Sequence, residues 1–138
     1  MAGASEMTDP VAGGCLCGAV RYTIAVEPIN VRICHCHICQ KATGSAFFAR
    51  AMFSRAGIRI SGETRGYASS DDLTRHFCPI CGTHVFADRK SNPAAISVTL
   101  GTLDDPGAFP PQVQIWTASK MRWLALDEDL PHFTAGPP

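Results

Sequence analysis

Hydrophobic and polar residues alternate along most of this chain with a period of two. From Cys15 to Val26, the residues Val20, Tyr22, Ile24 and Val26 fall in one phase, with Arg21 and Thr23 in the other. That is the pattern of a half-buried strand. Glu27-Pro28 breaks it, and Asn30 to Cys36 reads as a second strand. His37 to Thr43 predicts a short helical turn stopped by Gly44. Further strands are expected at Phe47 to Phe53, Ile58 to Ile60, Thr64 to Ala68, Leu73 to Phe77 and Thr83 to Ala87. Asn92-Pro93 reads as a turn, and Ala95 to Leu100 as a strand with Ile96, Val98 and Leu100 in phase. The Pro- and Gly-rich stretch from Asp104 to Pro111 reads as loop, Gln112 to Thr117 as a last strand, and Leu126 to Phe133 as a closing segment broken by Pro131. Helical periodicity is not sustained beyond two turns and nothing repeats. The expectation is a mainly β single domain of short antiparallel strands with little helix. Residues 1–12 are expected to be disordered, 13–133 to form the domain and 134–138 to be tail.

Composition narrows the picture. A chain of 138 residues can bury roughly two-thirds of the surface its unfolded form exposes. Twelve basic and twelve acidic side chains balance, so no global field draws nucleic acid or an anionic membrane. Met1 to Ala12 has neither a basic start nor a long apolar run, and so does not read as a signal peptide. Nowhere do about 18 apolar residues follow one another. A cytoplasmic protein is expected.

The seven cysteines change the reading most. An odd number cannot all pair, and close spacing in a reducing compartment points to metal ligands. They fall as Cys15-Leu16-Cys17, Cys34-His35-Cys36-His37-Ile38-Cys39 and Cys78-Pro79-Ile80-Cys81-Gly82. The last is a zinc knuckle, with Pro79 presetting the turn and Gly82 accepting the backbone conformation that aims amides at sulfur. It needs two more ligands, which Cys15 and Cys17 can supply from one strand face; pairing the knuckle with the central trio is the other arrangement. Four cysteines would make a closed structural site. Cys34, Cys36 and Cys39 would fill three corners of a tetrahedron. Either His35, His37, His76 or His84 closes the fourth, or it stays open for a substrate. Three thiolates leave a zinc dication with net charge minus one, a poor generator of hydroxide but a good holder of a thiol. Between Pro28 and Arg65, six basic residues (Arg32, Lys41, Arg50, Arg55, Arg59, Arg65) face one acid, Glu63. This excess would suit a carboxylate-bearing thiol, although most of these arginines are expected on wet strand faces.

Four stretches carry a resemblance. Gly13-Gly-Cys-Leu-Cys-Gly-Ala-Val-Arg-Tyr22, Cys34-His-Cys-His-Ile-Cys-Gln-Lys41 with Gly44-Ser45, Phe77-Cys-Pro-Ile-Cys-Gly-Thr-His-Val-Phe86, and Ile115-Trp116 with Ser119-Lys120 resemble the glutathione-dependent formaldehyde-activating family, which includes proteins similar to centromere protein V. The resemblance implies a β-tent-like fold with two zinc ions per chain. One is structural at Cys15, Cys17, Cys78 and Cys81; the other is of catalytic type at Cys34, Cys36 and Cys39. It implies a carbon–sulfur lyase acting on a small thiol, glutathione, and a small aldehyde such as formaldehyde, in the way of an S-(hydroxymethyl)glutathione synthase. The same fold occurs in a zinc-containing accessory factor of Rab GTPases. The alternative is therefore a non-enzymatic, zinc-stabilised module that binds a protein partner, and a third reading is a zinc-linked redox switch at the trio. Where many relatives have a histidine before the Ile-Trp pair, this chain has Gln114, read either as a substrate contact or as a surface or structural residue. Trp116 and Trp123 are expected in the core, Lys120 and Arg122 in solvent, and His84 and His132 carry no role of their own.

Overall fold

The computed structural model describes residues 6–137. The protein is mainly β, with two open sheets and one α-helix among the described residues. Strands β1 (Glu6–Gly14), β2 (Arg21–Val26) and β5 (Ile58–Ser61) form a small sheet in the order β1-β2-β5. The larger sheet has seven strands: β3 (Asn30–Cys34), β4 (Phe48–Ser54), β6 (Arg65–Ala68), β7 (Leu73–Phe77), β8 (His84–Arg89), β9 (Asn92–Thr99) and β10 (Val113–Ile115). Their order is β10-β3-β4-β9-β8-β7-β6. Every pairing is antiparallel except β10 with β3, which run parallel, a departure from the all-antiparallel expectation.

The alternation read from the sequence is real. In β2, Tyr22 and Ile24 are buried while Arg21 and Thr23 face outward. They join Val20, Val31, Ala51, Phe53, Phe86, Ile96 and Val98 in one core between the small sheet and one face of the large one. Phe53 meets Phe109 edge to face at 5.2 Å, and Tyr22 meets Phe86 at 5.4 Å. Register ties these rows together, since Ala51 pairs with Val98, Phe53 with Ile96, and Val98 with Phe86. The interleaved residues therefore face the opposite side.

The helix α1 (His37–Thr43) forms where the sequence places it. Its first turn is capped by Cys36, whose sulfur accepts the Cys39 amide, and it stops at Gly44, which sits in the left-handed region at φ 68°. Three expectations need correction. Part of the 1–12 segment is a strand: β1 begins at Glu6 and pairs with β2, so tertiary pairing overrides its small, polar composition. Residues 1–5 lie outside the described residues. The turn between β8 and β9 falls at Lys90-Ser91, and Asn92-Pro93 already belongs to β9, where the Arg89–Asn92 pair closes the hairpin. Leu126 to Phe133 closes the chain as expected, meeting the sheet through the bridge from His132 to Gln114, the Asp127 carbonyl and the packed Phe133. Residues 134–137, expected as tail, are fastened: Trp116 N donates to Ala135 O at 2.8 Å and Ala118 N to Thr134 O at 3.3 Å. No helix among the described residues is long and apolar enough to cross a membrane.

Phe53 is wholly buried at the centre of this core. Phe53→Ala is expected to destabilise the protein by about 3–5 kcal/mol, read as a lower urea midpoint at unchanged slope.

Candidate functional site

Two groups of cysteines come together, each with sulfurs within 4.8 Å of one another: Cys15, Cys17, Cys78 and Cys81, and separately Cys34, Cys36 and Cys39. Soft sulfur sets of this kind suit a tetrahedral metal ion, and either cluster could hold one. The first group is carried by two turns. Cys15 and Cys17 lie between β1 and β2 rather than on a strand face, and Cys78 and Cys81 lie between β7 and β8. The second turn is the expected knuckle: Gly82 takes φ 79°, Gly82 N donates to Cys78 O at 2.9 Å, and the amides of Ile80 and Cys81 approach Cys78 Sγ at 3.4 and 3.5 Å. Val20 N donates to Cys15 Sγ at 3.2 Å. Amides aimed at sulfur stabilise thiolates. This cluster joins the small sheet to the large one.

The second group is built at the end of β3. Cys34 is the strand's last residue, Cys36 caps α1, and Cys39 lies in its first turn, so a helix rather than an extended strand brings the third sulfur round. Cys34 and Cys39 are buried and Cys36 half-buried. The Cys39 thiol is held down to about 5, first by a hydrogen bond with Cys34 and then by the Arg75 guanidinium, against the opposing effect of burial. The Cys34 thiol is pushed up by that same hydrogen bond and by burial.

None of the four candidate histidines brings a ring nitrogen into this group. His35 is fully buried and its Nε2 meets Gln114 Oε1 at 2.8 Å. His37 Nδ1 meets Gln40 Oε1 at 3.2 Å, and His76 Nε2 meets Asp88 Oδ1 at 3.0 Å. His84 stacks on Phe48 at 5.2 Å, with both ring nitrogens buried and without a partner.

The three sulfurs open onto a cavity of about 720 Å³, whereas none of the four cysteines in the other group lines it. The volume lies in the range of small-molecule sites. Its floor is the face of the large sheet turned away from the core. Register explains the lining: Cys34 pairs with Phe48 and Ile115, Arg32 with Arg50, Met52 with Ser97, Ser97 with Ala87, and Ala87 with Arg75. Four arginines line the cavity, Arg32, Arg50, Arg75 and Arg89, against one acid, Asp88. Asp88 is itself taken by Arg55 at 2.7 Å and by His76, and Arg89 leans on Asp72. Arg32 and Arg50 sit directly across from each other, an arrangement that costs stability. Burial and then Arg32 push the Arg50 guanidinium down to about 10, while its Nη1 donates to Asn30 Oδ1 at 2.6 Å.

Gln114, expected as a substrate contact or as a surface or structural residue, takes a buried, structural place. On β10 it alternates with Val113 and Ile115, which pair with Arg32 and Cys34 on the cavity side. Gln114 therefore points away, is buried, and holds both His35 and the Asp127 carbonyl. Trp116 and Trp123, expected in the core, are 41% and 73% exposed. Trp116 lines the cavity and takes the left-handed conformation at φ 57°, the only non-glycine to do so among the described residues. Such strain is characteristic of functional positions. Lys120 donates to Leu124 O rather than standing free in solvent. Of the basic residues singled out from the sequence, Arg32 and Arg50 reach the cavity; Arg75 and Arg89 were missed. Arg75 carried a signal: on β7 it stands in phase with Leu73 and Phe77, a cation in an otherwise apolar row.

On a mainly β scaffold the chain thus carries two cysteine clusters that could each hold a metal ion, one of them opening on a cationic cavity of small-molecule size. A family model, the glutathione-dependent formaldehyde-activating enzyme, matches residues 10–119. The chain belongs to this family. Among solved structures it is similar to a crystal structure of a Rhodobacter sphaeroides protein, at 27% identity and a TM-score of 0.56, over 72% of this chain and 91% of that one.

His84 supplies a pH test. Burial, and then Arg75, hold its imidazole down from an ordinary 6.5 to about 4. Protonation thus favours the unfolded chain. The stability His84 contributes is complete above its ordinary value and is lost as pH falls toward its folded value. His84→Phe keeps the stacking on Phe48 and removes the titration. Melting curves from pH 6.5 down to 4 are expected to shift steadily in the variant's favour; a constant gap would refute this account.

Proposed function

We propose that this chain is a zinc-dependent carbon–sulfur lyase that joins the thiol of glutathione to an aldehyde such as formaldehyde, as an S-(hydroxymethyl)glutathione synthase does. Family membership supports a glutathione-dependent, formaldehyde-related role. The single observation that carries the reading is the difference between the two clusters: three sulfurs face a large cationic cavity, and four do not. In this reading Cys15, Cys17, Cys78 and Cys81 hold a structural zinc, and Cys34, Cys36 and Cys39 hold a second. Bound there, the ion supplies a positive charge that keeps a ligand thiol deprotonated near neutral pH.

The chain's own residues do the rest. Arg32 and Arg50, without carboxylate partners among the described residues, receive the carboxylates of glutathione. Phe48, Met52 and Ile115 make the adjoining wall apolar and exclude water. The thiolate sulfur adds to the carbonyl carbon of formaldehyde; a C–S bond forms, the C=O π pair moves to oxygen, and that oxygen takes a proton from solvent water, replacing the one the thiol lost to solvent, to give the S-hydroxymethyl hemithioacetal. The uncatalysed addition is fast, so the protein need lower the barrier by only about a few kcal/mol, mostly by positioning. A reducing cytoplasmic setting, where glutathione is abundant and thiols stay free, is part of the same proposal.

The test is a rate measured against background. Exchange NMR between formaldehyde hydrate and S-hydroxymethylglutathione is expected to speed up in proportion to protein concentration. Cys36→Ser is expected to abolish the increase and lower zinc from two ions per chain to one. Exchange indifferent to the protein would overturn the enzymatic reading. Two zinc ions in Cys36→Ser would overturn the assignment of the second site.

Arg50→Met gives a separate check. It is expected to weaken glutathione about ten- to a hundredfold while leaving zinc content unchanged, in line with the loss of a charged hydrogen bond to a ligand. Isothermal titration against glutathione, with 2-mercaptoethanol as the uncharged control, reads the difference.

A further inference from the structure

We propose that Arg75 is a positioning residue of the three-sulfur centre: its guanidinium is the counter-ion that lets this cluster hold a metal cation and still admit an anionic thiol. The inference rests on the reading of that centre as a metal and thiol site.

The argument begins with burial. Arg75 is 5% exposed, and a buried cation must be compensated by nearby negative charge or by a full set of acceptors. Among the described residues no carboxylate lies within ion-pair distance of it. Asp88, the one acid on the cavity wall, is engaged by Arg55 and His76. What Arg75 does touch is Ser69 Oγ, through Nε at 3.1 Å, the Phe48 ring, whose centroid lies 5.7 Å from Cζ, and Cys39 Sγ, through Nη2 at 3.6 Å. Ser69 is neutral and the ring offers only its quadrupole. The sulfur cluster is the remaining group that can carry the balancing charge.

The balance also runs the other way. A divalent cation with three thiolates has a net charge of minus one, and a fourth, exogenous thiolate makes it minus two. An adjacent fixed cation offsets part of that build-up where water is scarce. The guanidinium also has a donor to spare, since Nη1 is buried with no partner. Its planar fork is held in place by Ser69 on one side and Phe48 beneath, so little reorganisation is needed when a ligand arrives. Partners of this kind tune a metal centre through its ligands.

Arg75→Gln and Arg75→Lys test this in the full chain loaded with cobalt(II). Two equivalents are expected to bind the wild type. Arg75→Gln is expected to hold the first, at the four-cysteine cluster, with unchanged affinity, and the second about ten- to a hundredfold more weakly in chelator competition. Its sulfur-to-cobalt absorption is expected to need correspondingly more glutathione to respond. Arg75→Lys keeps the charge but not the fork, so it is expected to restore most of the affinity while shifting the absorption band. The undiminished first equivalent shows that the variant is folded. Should Arg75→Gln fail to fold, the band in Arg75→Lys decides: a shift supports the proposal and an unshifted band overturns it. Equal affinity for the second cobalt and the same glutathione response in wild type and Arg75→Gln would also overturn it. A wild type that binds only one cobalt would instead overturn the reading of the centre itself.

Discussion

The seven-stranded sheet must satisfy two opposite demands with one set of backbone hydrogen bonds. One face has to be dry, because the small sheet packs on it; the other has to hold sulfur and guanidinium side by side. Side chains alternate strictly along a strand, so a single register decides both faces at once. Ala51 and Phe53 go into the core because Arg50 and Met52 go into the cavity. A slip of one residue in β4 would drive Arg50 into the apolar core and turn Phe53 toward the sulfurs. The four-cysteine cluster helps hold that register, since it clasps the turn before β2 to the turn after β7.

The polar network behind the site is arranged so that each element fixes the next. Gln40, in α1, donates to the carbonyls of His35 and Ser119 at 3.0 Å each. His35 in turn meets Gln114, whose amide reaches Asp127. The sulfur-bearing turn, the helix and the C-terminal stretch are thereby linked through Gln40, His35 and Gln114, none of which lines the cavity. Gln114 thus packs behind the segment that carries Cys34 and Cys36, bonded to His35 between them. A buried amide with both its ends engaged is a rigid part.

Much of this was legible in the sequence, where local chemistry dictated the outcome. Helix α1 falls at its expected limits because Gly44 supplies the left-handed stop and Cys36 the cap. Strand β7 falls at Leu73 to Phe77, and the grouping of the cysteines into four and three is one of the two arrangements their spacing allowed. What escaped was set at a distance. Strand β1 has no pattern of its own and exists because β2 offers an edge. The cavity draws residues from six strands, β3, β4, β7, β8, β9 and β10, so no window of sequence contains it. Trp116 looked like core because large aromatics usually are; its backbone conformation, which composition cannot reveal, turns it outward. Asn92-Pro93 looked like a turn, but proline is tolerated at the start of a strand, and the real turn lies two residues earlier.

The facing pair of Arg32 and Arg50 has a consequence for how such chains diverge. Repulsion across that rung weakens the ligand-free protein, so drift should erase the pair quickly in any descendant that stopped using the cavity; almost any neutral replacement would relieve it. The two cysteine clusters would outlast it where one of them still holds the fold together. Within a lineage, retention of both arginines therefore reports continued use of the pocket more sensitively than retention of the cysteines does.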